Sequence, residues 1–210
     1  MGTAGTKPGD TSPERPGNPP GEPDTPDALI IIDMQKAFLH GPNAIPSAKS
    51  VLAQVTALLH RARAAPRVQI IHLQNDGPVG APDEPHTPGW ELALPACPSS
   101  RETVLRKTDD DGFVGTALGA LLDARRVRRV VLCGVQSEMC VAATARAAMS
   151  RGLHVVLPHD AHGTYDVPAA DELEAPAVPA PQVARVAEWS LGDGVEITAR
   201  AADVRFDDGP

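Results

Sequence analysis

Continuous apolar runs alternate with amphipathic stretches along most of this chain. The run at residues 28–32 contains no polar side chain and is followed directly by Asp33, which is typical of a strand buried on both faces of a parallel sheet. Apolar residues at helical spacing predict helices over residues 47–63 and 115–125. The same criteria predict five more strands, at residues 68–73, 102–107, 127–135, 154–158 and 195–200.

Strands that alternate with helices predict a doubly wound α/β fold, with a mainly parallel six-stranded sheet flanked by helices. In such folds ligand sites form outside the carboxyl ends of the strands. Residues 75–100 are rich in Gly and Pro and contain no periodic pattern, so we expect a long loop there, and loops of this length are often functional.

The first 26 residues differ in composition from the rest of the chain. They include seven of the 22 prolines and no large apolar residue after Met1, so they cannot form a core of their own. We therefore predict a disordered N-terminal tail over residues 1–26 and one folded domain over residues 27–210.

Composition narrows the classes of function. The formal net charge is −8 and no basic run is present, so we expect no nucleic-acid partner. No window reaches the roughly 18 consecutive apolar residues of a membrane span, and the first residues lack the apolar segment of a signal peptide. The expectation is a cytoplasmic protein that does not bind a membrane.

The chain has three cysteines, Cys97, Cys133 and Cys140, and none forms a CxxC pair. An odd number without that spacing argues against a disulfide framework and a zinc knuckle. Cys133 lies inside an apolar strand and is expected to be inert, while Cys97 has no base or cation near it in the sequence. Cys140 lies in the first turn of a predicted helix, where the positive helix end favours a thiolate and therefore a nucleophile.

Two further polar residues, Asp33 and Lys107, stand at strand ends like Cys140. Taken singly, each has an ordinary interpretation as a turn, cap or solvated residue. Together they supply a base, a cation and a nucleophile at one edge of one sheet. A carboxylate can take the thiol proton, an ammonium stabilises the thiolate, and the thiolate can attack a carbonyl carbon to give a thioester.

Four segments carry a resemblance to a known family: IIIDMQKAFL, VLRKTDDDGFVGTALGALL, VVLCGVQSEMCVAATARAA and HVVLPHDAHGTYD. Between residues 28 and 166 they resemble, in order and spacing, the isochorismatase-like hydrolases, which include nicotinamidases and carbamoylsarcosine amidases. The resemblance implies a Rossmann-like hydrolase fold, a homodimer or homotetramer, and Asp33, Lys107 and Cys140 as catalytic residues. It also implies a cis peptide between Val135 and Gln136, with the N–H groups of Gln136 and Cys140 forming an oxyanion hole.

Two further segments, HLQNDGPVGAPDEPHTPGWEL and APQVARVAEWSLGDGVEITARAADVRF, look most like the streptothricin hydrolases of that family, which open a cyclic amide. This similarity implies a small-molecule amide or lactam substrate. Ether hydrolysis of the isochorismatase type is an alternative on the same site, although such enzymes commonly lack the nucleophilic cysteine. A non-catalytic small-molecule-binding protein is an alternative of another class.

No cofactor or metal is expected at the predicted site. Nicotinamidases place an Asp and two His around a metal after the first two strands, and the matching residues 72–90 contain no Asp-x-His. His72 and His86 stand alone, without metal-ligand spacing. The histidines His154, His159 and His162 cluster near the fifth strand, where a cap or a supporting role is the expectation.

Aromatic residues are rare, at 3% of the chain. Four of them follow strands on the presumed catalytic edge, so we predict that they line the substrate pocket together with a glutamine. Anchoring of the long loops is the alternative interpretation. The predicted substrate-binding residues are Phe38, Gln74, Trp90, Phe113 and Tyr165.

Overall fold

A parallel sheet forms the centre of the fold. The computed structural model describes residues 27–206. The strands are β1 (Ala28–Ile32), β2 (Gln69–Asn75), β3 (Glu102–Lys107), β4 (Arg129–Val135), β5 (His154–Pro158), β6 (His162–Gly163) and β7 (Val195–Thr198). Six of them lie in the order β3-β2-β1-β4-β5-β7. The predicted fold class is confirmed, but the sheet has seven strands rather than six. The extra strand, β6, pairs with the end of β4 and at two residues is too short to produce a hydrophobic pattern.

Helices cover both faces of the sheet. They are α1 (Lys36–Leu39), α2 (Ala48–Ala64), α3 (Leu118–Ala124), α4 (Ala142–Ser150) and α5 (Ala180–Ser190). A hydrophobic core lies on each face of the sheet, and alternate residues of β1 point into one or the other. Ile31 packs with α2 on one face, and Ile30 packs with α3 and α4 on the other. Helix α3 begins later than predicted because Gly115 adopts a left-handed conformation, with φ +67°.

The chain between β4 and α4 is not a regular α-helix. Residues Ser137–Val141 form a π-helical turn, here called the Cys140 turn, before α4 begins. Single π turns inside helices are rare and occur frequently at functional sites. The sequence predicted a helix from this point but not its local geometry.

The predicted long loop runs from the end of β2 to the start of β3 and contains no helix or strand. An isolated bridge between Gln35 and Leu92 attaches it to the segment after β1. The predicted tail over residues 1–26 lies outside the described residues, as do residues 207–210. Within residues 27–206, every helix is too short or too polar to cross a bilayer.

Candidate active site

Three strand ends bring Asp33, Lys107 and Cys140 into contact. Asp33 follows β1, Lys107 ends β3, and Cys140 lies in the turn after β4. Lys107 Nζ lies 2.9 Å from Asp33 Oδ2 and 3.3 Å from Cys140 Sγ. The carboxyl ends of parallel strands share one edge of the sheet. Asp33 and Cys140 therefore meet there although 107 positions separate them in the sequence. A carboxylate, an ammonium and a thiol therefore form one contiguous group.

Lys107 is almost completely buried, with 3% of its surface exposed. Besides the carboxylate and the thiol, its ammonium donates to the carbonyl of Asp109 at 3.1 Å and to Asn75 Oδ1 at 3.5 Å. Burial alone would lower the pKa of Lys107, but the neighbouring Asp33 carboxylate and Cys140 sulfur outweigh it and leave the pKa raised. The lysine is a permanent cation in this site.

Asp33 adopts a left-handed conformation, with φ +50°, and 2% of its surface is exposed. Its Oδ2 is paired with Lys107, while its Oδ1 is buried and accepts no hydrogen bond from any residue within 27–206. Burial raises the pKa of Asp33, and Lys107 opposes the rise. A raised pKa makes the carboxylate a stronger base, and Oδ1 is free to receive a proton.

The thiol of Cys140 behaves differently from the expectation for the first turn of a helix. Its pKa is raised, first by burial and then by the Asp33 carboxylate, and Lys107 only partly offsets both. The prediction of a thiolate favoured by the helix end is therefore wrong for the resting site. Desolvation and the Asp33 carboxylate raise the pKa of the thiol more than Lys107 lowers it, so the thiol needs a base to remove its proton.

The Cys140 turn is held by backbone hydrogen bonds to Gln136. The peptide between Val135 and Gln136 is cis, and the Gln136 carbonyl accepts hydrogen bonds from the N–H groups of Met139 at 3.2 Å and Val141 at 3.1 Å. These two donors flank Cys140 in the chain. Both N–H groups are therefore used within the turn, and the oxyanion hole expected from the N–H groups of Gln136 and Cys140 stays a prediction.

Gly134 permits the close approach of β4 and β1 immediately before this turn. Its φ is +121°, and a Cβ atom there would lie 2.0 Å from the carbonyl oxygen of Ile32. No other residue fits without moving one of the strands, since the colliding atoms belong to the Ile32 backbone. Asp33 and the Cys140 turn are brought together at this point.

Sequence reasoning missed Asp110 as a member of the site. Its Oδ1 lies 3.5 Å from Cys140 Sγ, and its carbonyl accepts from the hydroxyl of Thr144 on α4 at 3.4 Å. The acidic run at residues 109–111 begins two residues after Lys107. That adjacency was the available signal, because a segment leaving a strand end at the catalytic edge must pass the site.

Two of the predicted substrate-binding aromatics belong to the cores. Phe113 is 7% exposed and packs in the α3–α4 core, with the Arg151 guanidinium 4.6 Å from its ring centre. Phe38 is partly buried against the α2 core. Their contacts match the alternative interpretation, in which large side chains anchor loops.

The other three predicted substrate-binding residues hold loops in place through polar contacts. Gln74 Nε2 donates to the carbonyl of Trp90 at 2.9 Å, and Trp90 Nε1 donates to Asp76 Oδ1 at 2.8 Å. Tyr165 Oη donates to the carbonyl of Asn43 at 2.7 Å. These bonds position the long loop and the segment after β6 around the catalytic edge.

The candidate metal ligands lie apart from the three contacting residues. His159, His162 and Glu188 bring ligand atoms within 4.8 Å of one another. His154, at the start of β5, instead lies 3.6 Å from Glu196. The predicted cluster of three histidines is therefore divided, with two of them around one glutamate.

Comparison with known proteins identifies the family. The Isochorismatase domain model matches residues 27–179. Two streptothricin hydrolases from Streptomyces noursei are 58% and 57% identical over 179 residues, which is 85% of this chain, and the chain spans 64% and 70% of their lengths. The structure of an isochorismatase from Pseudomonas putida KT2440 superposes with a TM-score of 0.75 and 30% identity, covering 85% of this chain and 90% of that one.

These similarities extend over the strands that carry Asp33, Lys107 and Cys140, and they agree with the parallel sheet and its flanking helices. Since the family model covers well over half of the chain, this protein belongs to the isochorismatase family.

Proposed function

We propose that this protein is a cysteine amidohydrolase that cleaves a small-molecule amide or lactam through a thioester on Cys140. The observation that carries the proposal is the position of Lys107 Nζ, in contact with both Asp33 Oδ2 and Cys140 Sγ. When the proton moves from the thiol to the carboxylate, the negative charge moves to the sulfur. A buried cation in contact with both groups stabilises the resulting thiolate. A pocket that only binds a ligand has no need for this arrangement.

In the first step Asp33 takes the thiol proton on its unpartnered Oδ1, and the Cys140 thiolate attacks the amide carbonyl carbon. The carbonyl π electrons move to oxygen. The N–H groups of Gln136 and Cys140 would donate to that oxyanion, and Lys107, in contact with both groups, compensates the negative charge that moves from the Asp33 carboxylate to the sulfur. Because the pKa of Cys140 is raised, the proton transfer is coupled to substrate binding rather than complete beforehand.

In the second step the C–N bond breaks as protonated Asp33 gives its proton to the leaving nitrogen. This leaves a thioester on Cys140 and an ionised carboxylate. Asp33 then removes a proton from water, whose oxygen attacks the thioester carbon, and the proton returns to the sulfur as the acid product leaves. Protons and electrons balance without a metal or a redox partner.

The substrate class follows from the relatives. Both streptothricin hydrolases are more than half identical to this chain, which supports a cyclic amide of the streptothricin type as the substrate. The proposal includes a homodimer or homotetramer, as family resemblance implies, working in the cytoplasm, where the three free thiols would stay reduced.

The test is hydrolysis of an amide panel that contains streptothricin, simple lactams and nicotinamide, with products identified by mass spectrometry. Cys140→Ala should abolish turnover and keep the fold, whereas Cys97→Ala, an exposed thiol outside the site, should leave turnover unchanged. Lactam opening by the wild type that persists in Cys140→Ala would overturn the covalent mechanism. Turnover of nicotinamide alone would overturn the substrate class and keep the mechanism.

A further inference from the structure

A second cluster of chemically capable side chains surrounds one carboxylate on α5. Glu188 is 3% exposed, and its Oε1 lies 2.5 Å from His159 Nδ1 and 3.0 Å from His162 Nε2. The two histidines come from the segment between β5 and the end of β6, so the cluster joins two separate parts of the chain. None of these three residues takes part in the proposed hydrolysis.

Glu188 is a buried anion whose nearest partners carry no fixed charge. Both imidazoles approach the same oxygen, Oε1, and neither is a fixed cation. The one nearby fixed cation among the described residues is Arg185, whose Nη1 lies 3.3 Å from Oε2 and whose side chain is 57% exposed. A buried charge is stable when it is paired or when it binds a metal ion.

The second nitrogen of His162 already has a partner. Its Nδ1 lies 2.8 Å from Ser137 Oγ, at the start of the Cys140 turn. In the tautomer in which Nδ1 donates its proton to the hydroxyl, Nε2 offers its lone pair to a metal ion shared with Glu188. Metal-binding histidines characteristically hold their other ring nitrogen in such a hydrogen bond.

The cluster is open on one side. The side chain of His159 is 52% exposed, and both histidines line a cavity of about 380 Å³ between α2 and α5. Thr164 and Ser47 supply hydroxyl groups to the same cavity. There is room for water or another small ligand beside the two histidines.

We propose that His159, His162 and Glu188 bind a divalent metal ion of the Zn²⁺ class, with the remaining coordination position facing the cavity. Two imidazole nitrogens and one carboxylate oxygen are a donor set that zinc accepts, with bonds of about 2.0–2.2 Å. Donor atoms that all lie within 4.8 Å of one another can share such an ion after small side-chain rotations. Glu188 Oε2 remains with Arg185, so the carboxylate binds through one oxygen.

The site is distinct from the reacting atoms. It is connected to them through Ser137, the first residue of the Cys140 turn, which contacts His162. A bound ion would therefore stabilise the packing of β6 and α5 against that turn and would take no part in the hydrolysis. Metal binding at this site can therefore be tested independently of the amidohydrolase activity.

Equilibrium dialysis of the full-length protein against Zn²⁺ at neutral pH tests the site, with Co²⁺ absorption as a report on the ligand type. Glu188→Gln preserves the size of the side chain, and His159→Ala changes a half-exposed residue, so both variants should fold. His60→Ala, an exposed histidine on α2, controls for weak surface binding. Cys140→Ser controls for binding at the thiol.

We expect one tightly bound Zn²⁺ in the wild type, in His60→Ala and in Cys140→Ser. Affinity should fall by at least about tenfold in Glu188→Gln and His159→Ala, and Zn²⁺ should raise the melting temperature of the wild type but not of these two variants. The Co²⁺ form should lack a thiolate charge-transfer band. The proposal would be overturned if the wild type bound no Zn²⁺ tightly or if Glu188→Gln bound it with the affinity of the wild type. Loss of tight Zn²⁺ binding in Cys140→Ser would also overturn it.

Discussion

Lys107, on the edge strand β3, forms an ion pair of 2.9 Å with Asp33, which follows β1 two strands away. Both side chains are buried, at 3% and 2% exposure. The lysine must cross the end of β2 to reach the carboxylate, so the pair depends on the register of three strands. The same ammonium contacts the Cys140 sulfur, which ties the nucleophile to this pair.

Lys107→Met should therefore destabilise the fold as well as abolish turnover. Removing one partner of a buried pair leaves an uncompensated charge and costs about 3–5 kcal/mol. The double variant Asp33→Asn/Lys107→Met should be less destabilised than the sum of the single variants, because neither charge is then left alone. Urea denaturation of the three variants measures this coupling, and simple additivity would show that the pair contributes nothing.

Asp33→Asn should make Cys140 more reactive toward an alkylating agent while it abolishes amide hydrolysis. The Asp33 charge raises the pKa of the thiol, and its removal leaves the buried Lys107 ammonium at 3.3 Å opposed only by the Asp110 carboxylate at 3.5 Å, so the thiolate fraction at neutral pH should rise. The rate of iodoacetamide modification, followed by mass spectrometry, measures the change. Asp123→Asn, an exposed carboxylate on α3, should react like the wild type. Slower modification of Asp33→Asn would contradict the assigned electrostatics.

The stability of β3 should fall in acid because of Glu102, which begins that strand. Burial raises the pKa of Glu102, but two hydrogen bonds from Arg63, one from the Cys97 N–H and one with His72 lower it to about 2. A carboxylate with a depressed pKa stabilises the folded state above its ordinary pKa of 4.5 and loses that contribution as the pH falls toward 2.

This contribution amounts to about 3 kcal/mol at neutral pH. Glu102→Gln should lose it and show a flatter decline of unfolding free energy between neutral pH and acid. Glu91→Gln, which removes a carboxylate with an exposed side chain, should keep the pH profile of the wild type. Equal acid sensitivity of Glu102→Gln and the wild type would contradict the assigned role.

Gly134→Ala should be more damaging than an alanine at another left-handed glycine. Its Cβ would collide with the backbone of Ile32, whereas the Cβ of Gly152→Ala, at φ +78°, meets nothing within 4 Å. A left-handed alanine alone costs about 1–2 kcal/mol. Gly152→Ala should lose about that much in thermal unfolding, and Gly134→Ala should lose more and also lose activity, since the strands on either side carry Asp33 and the Cys140 turn.

The sequence predicted those parts of the fold that depend on strong local patterns. The apolar run of β1 and the helical spacing of α2 indicated buried elements at the right places, and the residues following strand ends indicated Asp33, Lys107 and Cys140. These predictions succeed because parallel strands place their carboxyl ends at a common edge regardless of detail.

Features that depend on three-dimensional packing did not follow from the sequence. Strand β6 is two residues long and pairs only because the chain returns to the end of β4. The raised pKa of Cys140 depends on how deeply the thiol is buried and on the Asp33 carboxylate nearby, which no spacing reveals. The internal partners of Phe113 and Trp90 were equally unpredictable, because an aromatic residue after a strand can face a pocket or a core.

The most direct test of the central claim is intact-protein mass spectrometry of the wild type quenched during turnover of a lactam substrate, followed by peptide mapping. The mechanism predicts a transient mass increase equal to the acyl part of the substrate, located on Cys140 and removed by hydroxylamine. It also predicts no such species in Cys140→Ser on the same time scale. Steady turnover without any acylated Cys140, under conditions in which an added thioester standard survives the quench, would contradict the covalent mechanism.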